Sequence, residues 1–576
     1  MTDLERAVTA RTASAPPGRA AAGDASDAHS ADVPPGQSTT ASVASSTGAS
    51  GRPRRAPRGL AALLLTVAYL MLGLTWVFTN PPGFAPDEPE HYLKALGISH
   101  GEVRGQPAPF TYLPVVDAAM LRWQNLNTRS IAVPAHLGTC LYYRVPVYDR
   151  CPEGPPPRTP ARQTTYVASY PPFTYAGAAL VMRLGHTTTS ALLLGRLAML
   201  LIATALLAGA AAVLSAARRT VLPLLGLLTA VTPMVLFASA ELSASGLEIA
   251  SGVAFAAALI RLAADESRPR GLWALLLGAG VVLALSRTFG PVWVLFDVIW
   301  ALALMGSALA RQRVGAARGW AAASAGAITV ATMANLAWQL AVAPHPALTL
   351  AAVRHGVGGA VRGVPHLGRE AIGVFGWIDV PLPRLAYLPW MLLVTVVLGG
   401  ALRVSRPRER RLLLGMSAGI VGLTVLVAIA IAASAPGFKL QTRYVLPVAV
   451  ALPLVAGELL YRHRATIDPR LLRRAVSAAI LLAAAVQGWA LLINARFYRR
   501  NVKGLVSFIT PPGWRPPLGW YPWVALTAVG CAALLALALL AAGADEGREA
   551  GGDSGDTGSD RSKLVHRRRH PAAASR

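Results

Sequence analysis

The sequence predicts an all-α, multi-pass membrane protein with about twelve transmembrane helices and a long first loop on the outer side. Three observations point there. Hydrophobic residues make up 54% of the 576 and charged residues 14%, with a mean hydropathy of +0.46, too little polar surface for an ordinary water-soluble globule. Apolar runs of roughly 18 to 25 residues, enough to cross about 30 Å of hydrocarbon, recur along the chain. Between them arginine returns in short clusters, which is the pattern of cytoplasmic connections under the positive-inside rule. The net charge of +26 is therefore a mark of topology and not of nucleic-acid binding.

Residues 1–58 are rich in Ala, Ser, Thr, Gly and Pro, a composition that cannot offset its own ordering entropy, so a disordered cytoplasmic tail is expected. The first apolar run, about 60–79, is too long and too far from the start for a signal-peptide core and should stay as an anchor. Further runs lie near 190–214, 219–237, 241–264, 271–286, 288–308 and 318–341, then near 385–404, 411–434, 444–461, 472–493 and 521–543. Together they make a transmembrane domain over 59–543, followed by a disordered, partly basic tail over 544–576. With twelve spans, "RPRRAPR", "RLAADESRPR", "ARQRVGAAR", "RVSRPRERR" and "YRHRATIDPRLLRR" all fall on one side, which places both termini in the cytoplasm of a cell-membrane protein. Counting 170–184 as another span would break that pattern, so it reads as an interfacial or re-entrant helix.

The outer side then holds a first loop of 80–189, a second of 342–384, the turn "SAPGFKLQTRY" and the segment near 494–520. The first loop begins "TNPPGFAPDEPEHYLKALG". One reading is local: Asp87 caps a helix starting at about Glu88, Glu90 closes a capping box, and Gly97 ends it. The other is chemical: Asp87, Glu88 and His91, at i, i+1 and i+4, crowd two carboxylates and an imidazole at one helix end beside the membrane. Such a group could deprotonate a hydroxyl, or Asp87 could help hold a divalent cation such as Mg or Mn. Cations on the outer side run against the topology rule: Arg354, His355, Arg362, His366, Arg369, Lys439, Arg443, Arg496, Arg499, Arg500 and Lys503. Snorkelling accounts for many of them, and bidentate binding of a lipid phosphate is the sharper use. Cys140 and Cys151 flank "LYYRVPVYDR" on the side where oxidation can occur, so a disulfide is expected. Cys531 lies within an apolar run and reads as packing.

"PDEPEH", "YPPFTY", "SASGLEIA", "FGWIDVPLP" and "LQTRYVLP", in that order over most of about 60–540, resemble the motif series of bacterial, actinobacterial-type multispanning membrane proteins of domain-of-unknown-function family 2142. That family is similar to the GT-C membrane glycosyltransferases, which take sugar from a polyprenyl-phosphate carrier on the outer face and use an acidic residue of the first outer loop. The resemblance implies a catalytic role for Asp87 with Glu88 beside it. It also implies substrate binding by His91, by Trp377 and Asp379 of "GWID", and by Gln441, Arg443 and Tyr444 of "QTRY". Thr442 stands where the family motif has glycine. The implied reaction is transfer of a sugar from a polyprenyl-phosphate donor to a cell-envelope glycan or lipid acceptor. A transporter or flippase of lipid-linked saccharides, with Glu241, Glu248 and Asp297 as its acidic groups, and a non-catalytic envelope assembly factor are the alternatives.

Overall fold

The computed structural model describes residues 59–108, 127–134, 137, 161–216, 218, 220–264, 270–342, 348–434, 439–500 and 515–543. Both tails, Cys140 and Cys151 lie outside them. Among the described residues, eight helices are long and apolar enough to cross a membrane, or up to ten if each of two bent pairs counts as one span. The chain is thus a helical multi-pass membrane protein, and the difference from twelve has local causes. Helix α1 (Leu60–Thr79) and helix α2 (Glu88–Ser99) are followed by α3 (Ala176–Met182), α4 (Thr188–Ser215), α5 (Leu225–Ala230) and α6 (Pro233–Ser239). The run expected as one span near 219–237 is broken before Pro233, and its two parts meet at 67°, because proline at the first helical position starts a new helix. There Thr232 accepts from the Val235 N–H as a cap and donates to Ala371 O at 2.7 Å.

Helix α7 (Ala244–Ala264) is enclosed along its length, with 94% of its apolar window buried. It is followed by α8 (Arg270–Ser286), α9 (Gly290–Met305), α10 (Ser307–Ala316) and α11 (Arg318–Val342). At 17 residues α8 is just short of a full span, and α10 leaves α9 at 106° where Gly306 adopts φ 78. The later helices are α12 (Leu350–Gly373), α13 (Arg384–Val404), α14 (Pro407–Ser434), α15 (Leu446–Ala449), α16 (Ala451–Arg462), α17 (Pro469–Arg500) and α18 (Tyr521–Gly543). The expected span near 444–461 is the pair α15 and α16. Segment 173–182 forms ten helical residues, about 15 Å at 1.5 Å per residue, too short to cross and in keeping with an interfacial helix.

The first loop is not simply a polar connection. The described part of it carries α2 and a three-stranded antiparallel sheet of β1 (Gln106–Pro107), β2 (Arg129–Val133) and β3 (Ala161–Thr165), with Arg129 opposite Thr165 and Val133 opposite Ala161. Helix α2 packs on β2 so closely that a side chain at Gly97 would meet Ile131. Two groups of charged residues mark the ends of the bundle. At one, Arg218 and Arg462 pair with Glu458 at 2.7 and 3.0 Å, and His463 Nε2 lies 2.7 Å from Glu409; these belong to the arginine-rich connections. At the other, the segments after α1, α6, α8 and α12 meet the start of α15.

Candidate active site at one end of the bundle

Helix α2 is almost wholly buried although it carries Glu88, Glu90, His91 and Lys94, so each of these needs a partner. Glu88 and Arg196 of α4 have side chains 0% exposed. Arg196 donates from Nε to Glu88 Oε1 at 2.7 Å and from Nη2 to Oε2, and its remaining N–H groups reach the carbonyls of Val77, Asn80 and Pro81. All five donors are used, partly on the open C-terminus of α1, where a cation suits the helix dipole. Glu88 also accepts from the N–H groups of Gly83 and Leu242. The expected catalytic place for Glu88 is therefore corrected: its oxygens are saturated and turned inward, and it holds the loop together.

Asp87 is placed differently. It stands at the N-cap of α2 with φ 60 and makes no side-chain cap bond, and Glu90 Oε2 accepts instead from the Tyr166 N–H at 3.2 Å. The capping-box reading does not hold. The Asp87 side chain, 23% exposed, takes Arg443 Nη2 at 2.6 Å on Oδ2 and the Tyr166 hydroxyl at 2.7 Å on Oδ1. Burial raises its pKa, but the Arg443 guanidinium and the bond from Tyr166 outweigh that and hold the carboxyl below its usual range. Left-handed backbone is uncommon for a residue with a side chain, though aspartate tolerates it. Here the loop is gripped from four sides: Arg196 on Pro81 O, Trp377 Nε1 on Gly83 O at 3.1 Å, Tyr498 on Phe84 O at 3.4 Å and Arg443 Nη1 on Pro86 O at 3.3 Å.

Around this carboxylate the structure gathers residues far apart in sequence. His91 Nδ1 lies 2.7 Å from the Tyr175 hydroxyl, and burial, reinforced by Arg443 and Arg287 against the pull of Asp87, drives its pKa down to about 3, so the ring is neutral. Tyr444 sits between two guanidiniums, with Arg287 at 4.9 Å and Arg443 at 5.2 Å from its ring. Arg287, in the turn after α8, also faces the Tyr170 ring at 5.2 Å, donates to Ser245 Oγ at 3.3 Å and lies 3.8 Å from Glu248 Oε2. Thr442, in the place of the motif glycine, anchors the arginine: its N–H donates to Glu370 at 2.9 Å and its hydroxyl to Leu367 O at 2.6 Å.

Beside Arg443 opens a cleft of about 380 Å³ of empty space, its mouth included, reached by Pro86, Glu241, Glu370 and Gln441 and floored by Phe237 and Ile378. Of the expected residues, Asp87, His91, Gln441, Arg443 and Tyr444 come together, and Trp377 supports the loop beneath them. Asp379 does not join: it is exposed on the turn between β4 (Val374–Phe375) and β5 (Val380–Pro381). The basic residues Arg354, His355, Arg362, His366 and Arg369 lie on α12. Tyr166 and Arg287 were missed. Arg287 was within reach of sequence logic, as a cation in a short turn between two apolar runs. Tyr166 was not, because only the β2–β3 pairing carries it to Asp87.

A divalent cation does not fit this arrangement. Among the described residues no three His, Cys, Asp or Glu side chains gather as a ligand set, and the Asp87 oxygens face a guanidinium and a hydroxyl donor, whereas Mg or Mn needs a ring of oxygen acceptors.

Fold and cluster together define a helical multi-pass membrane protein with a charged, partly enclosed cleft at one end of its bundle. Residues 70–452 match the family described as Predicted membrane protein (DUF2142), and the chain belongs to that family. No curated protein matches it. Among solved structures it is similar to ArnT from Cupriavidus metallidurans bound to undecaprenyl phosphate, with 15% identity, a TM-score of 0.39, and 86% of this chain and 79% of that one covered. The apo state of the same ArnT aligns with 15% identity, a TM-score of 0.36 and coverage of 83% and 76%.

Proposed function

We propose that the chain is an inverting glycosyltransferase of the cell membrane, both termini cytoplasmic, that moves a sugar from a polyprenyl-phosphate donor to a cell-envelope acceptor on the outer face. The observation that supports this most is the placement of Asp87. It is the reachable carboxylate of the "PDEPEH" cluster, it sits at the mouth of the first helix, and Arg443 from a distant part of the chain pairs with it, with Arg287 against the same Tyr444 ring as Arg443.

In the reaction, the acceptor hydroxyl gives its proton to Asp87 as its oxygen bonds to the anomeric carbon. The bond from that carbon to the phosphate oxygen breaks, and polyprenyl phosphate leaves with the additional negative charge, which Arg443 and Arg287 stabilise. One base with direct displacement inverts the anomeric centre. The ion pair adds a coupling. While Arg443 holds Asp87, the carboxylate is a weak base. When the guanidinium turns to a donor phosphate, Asp87 loses its counter-charge and its pKa rises, so donor binding strengthens the base.

The test is transfer by the purified protein from a panel of polyprenyl-phosphate sugars to envelope extracts. Wild type should transfer from at least one donor, and Asp87→Asn should lose at least about a hundredfold while staying folded. Full transfer by folded Asp87→Asn would refute the role. A second reading, a transporter or flippase of such lipids, draws on the bent helix pair α5 and α6, since broken helices often form transport sites. It requires lipid-linked saccharide movement across proteoliposomes without any transfer. A non-catalytic assembly factor would show neither activity.

A further inference from the structure

We propose that α12 lies along the membrane surface and is a docking face for anionic phospholipids, with its arginines on their phosphates. At about 100° per residue, α12 divides into three rows roughly 120° apart. Ala352, Gly356 and Ala360 are buried and pack on α14, so closely at Gly356 that a side chain there would meet the Ile429 backbone. Leu350, Val357, Val361 and Val364 form a second row, between 41% and 65% exposed. Arg354, His355, Arg362, His366 and Arg369 form the third, and all are exposed. A helix surrounded by water has no use for the second row, and one sunk in hydrocarbon would not carry the third. Both together belong to a helix lying along the boundary, with apolar side chains among acyl chains and cations at the headgroups.

The depth of α12 agrees. Helix α14 is long and apolar enough to span, and its last charged residue is Arg411. Ile429 stands 429 − 411 = 18 residues further on, about 27 Å at 1.5 Å per residue, close to the far edge of a hydrocarbon layer of about 30 Å. Gly356 is therefore seated where acyl chains give way to headgroups. The partner follows from the charges. Glu370 is the one acidic residue of α12, and its carboxylate is turned to the Thr442 N–H at 2.9 Å, so the exposed cations face no acid of their own helix. An acidic protein would satisfy these cations but leave the apolar row beside them bare. A bilayer lipid supplies a phosphate and acyl chains at the two depths the helix presents, and arginine grips phosphate with two parallel N–H groups. Through Glu370 and Leu367 O the same helix holds Thr442, next to Arg443, which joins the membrane surface to the candidate site. The face binds lipid whether or not the protein transfers sugar.

The experiment is fluorescence quenching on the full-length protein in phosphatidylcholine vesicles, with its three native cysteines replaced by alanine and a bimane attached at Val361→Cys. The probes, each added as a minor lipid, are phosphatidylglycerol and phosphatidylcholine with a nitroxide on the acyl chain. Both should quench, because the apolar row lies in the bilayer. Phosphatidylglycerol should be preferred at least about fivefold, the equivalent of one arginine near a charged surface. Salt at about 1 M, which screens charges beyond about 3 Å, should reduce that preference. The combined Arg354→Gln, Arg362→Gln and Arg369→Gln variant should lose it and keep the quenching by phosphatidylcholine. The proposal is overturned if neither lipid quenches, if the two quench equally, or if the preference survives in the folded triple variant or, where that variant does not fold, in high salt. If a few mole per cent of unlabelled polyprenyl phosphate relieves the quenching while the same amount of unlabelled phosphatidylglycerol does not, the face belongs to the donor lipid, which also overturns it.

Discussion

Replacing Glu88 by Gln should damage the protein by unfolding it and not by stopping its chemistry. Glu88 and Arg196 are both fully enclosed, and the amide keeps the size of the carboxylate but removes its charge. Its NH₂ group must also face two of the four N–H donors, from Arg196, Gly83 and Leu242, that now point at carboxylate oxygens. Removing one partner of a buried pair costs about 3–5 kcal/mol, because the other charge is left uncompensated. That corresponds to roughly 10² to 10⁴ in the folded-to-unfolded ratio. Glu88→Leu combined with Arg196→Met removes both charges and should recover part of the loss. Recovery should be incomplete, since the carbonyls of Val77, Asn80 and Pro81 lose their donor. The assay is denaturant unfolding in detergent, followed by tryptophan fluorescence, on wild type, both single variants and the double. A Glu88→Gln protein that unfolds at the wild-type denaturant concentration but has lost transfer would refute the structural assignment.

Arg443→Lys keeps the charge but cannot grip Asp87 and phosphate as a planar fork; donor affinity should drop at least about tenfold, more in Arg443→Ala, and unchanged titrations for both would remove it from the site. Asp87 works ionised and its pKa in the donor-free protein is depressed, so kcat/KM, which follows the donor-free protein, should hold through the ordinary carboxylate range and fall only as pH drops below it. Tyr166→Phe removes one of the bonds that depress it, and a pH–rate profile should show the acidic limb moved to higher pH. Lys94 is buried against the carbonyls of Val103 and Ala168, and burial, aided by Arg129, lowers its pKa to about 7. Between about 7 and its ordinary value near 10.5 the unfolded chain therefore binds more protons than the folded one, so stability should rise with pH in that window; Lys94→Met should flatten the rise in an unfolding series. Finally, an alkaline-phosphatase fusion in the 342–384 loop should be active, and an inactive one would put the cleft on the cytoplasmic side.

The sequence by itself determined the class of the protein, because crossing a bilayer imposes length and apolarity on each helix. It also picked out Asp87 and Arg443, charged residues at the ends of apolar runs, and Tyr444 beside Arg443 through the "QTRY" motif. What it left open were groups whose roles depend on distance. Asp87 and Glu88 are neighbours in sequence, yet only packing shows that one meets the Arg443 guanidinium at the rim of a cleft while the other is sealed against Arg196. The capping box was a sound local reading that lost to longer-range partners: a full guanidinium at 2.6 Å is a stronger attraction for a carboxylate than a neutral backbone N–H. The span count suffered in the same way, since a hydropathy run does not reveal whether Pro233 or Gly306 bends the helix within it. The cleft lies furthest from sequence. Glu241, Gln441 and Ile378 come from separate stretches of the sequence, and what unites them is that three connections between helices end at the same place.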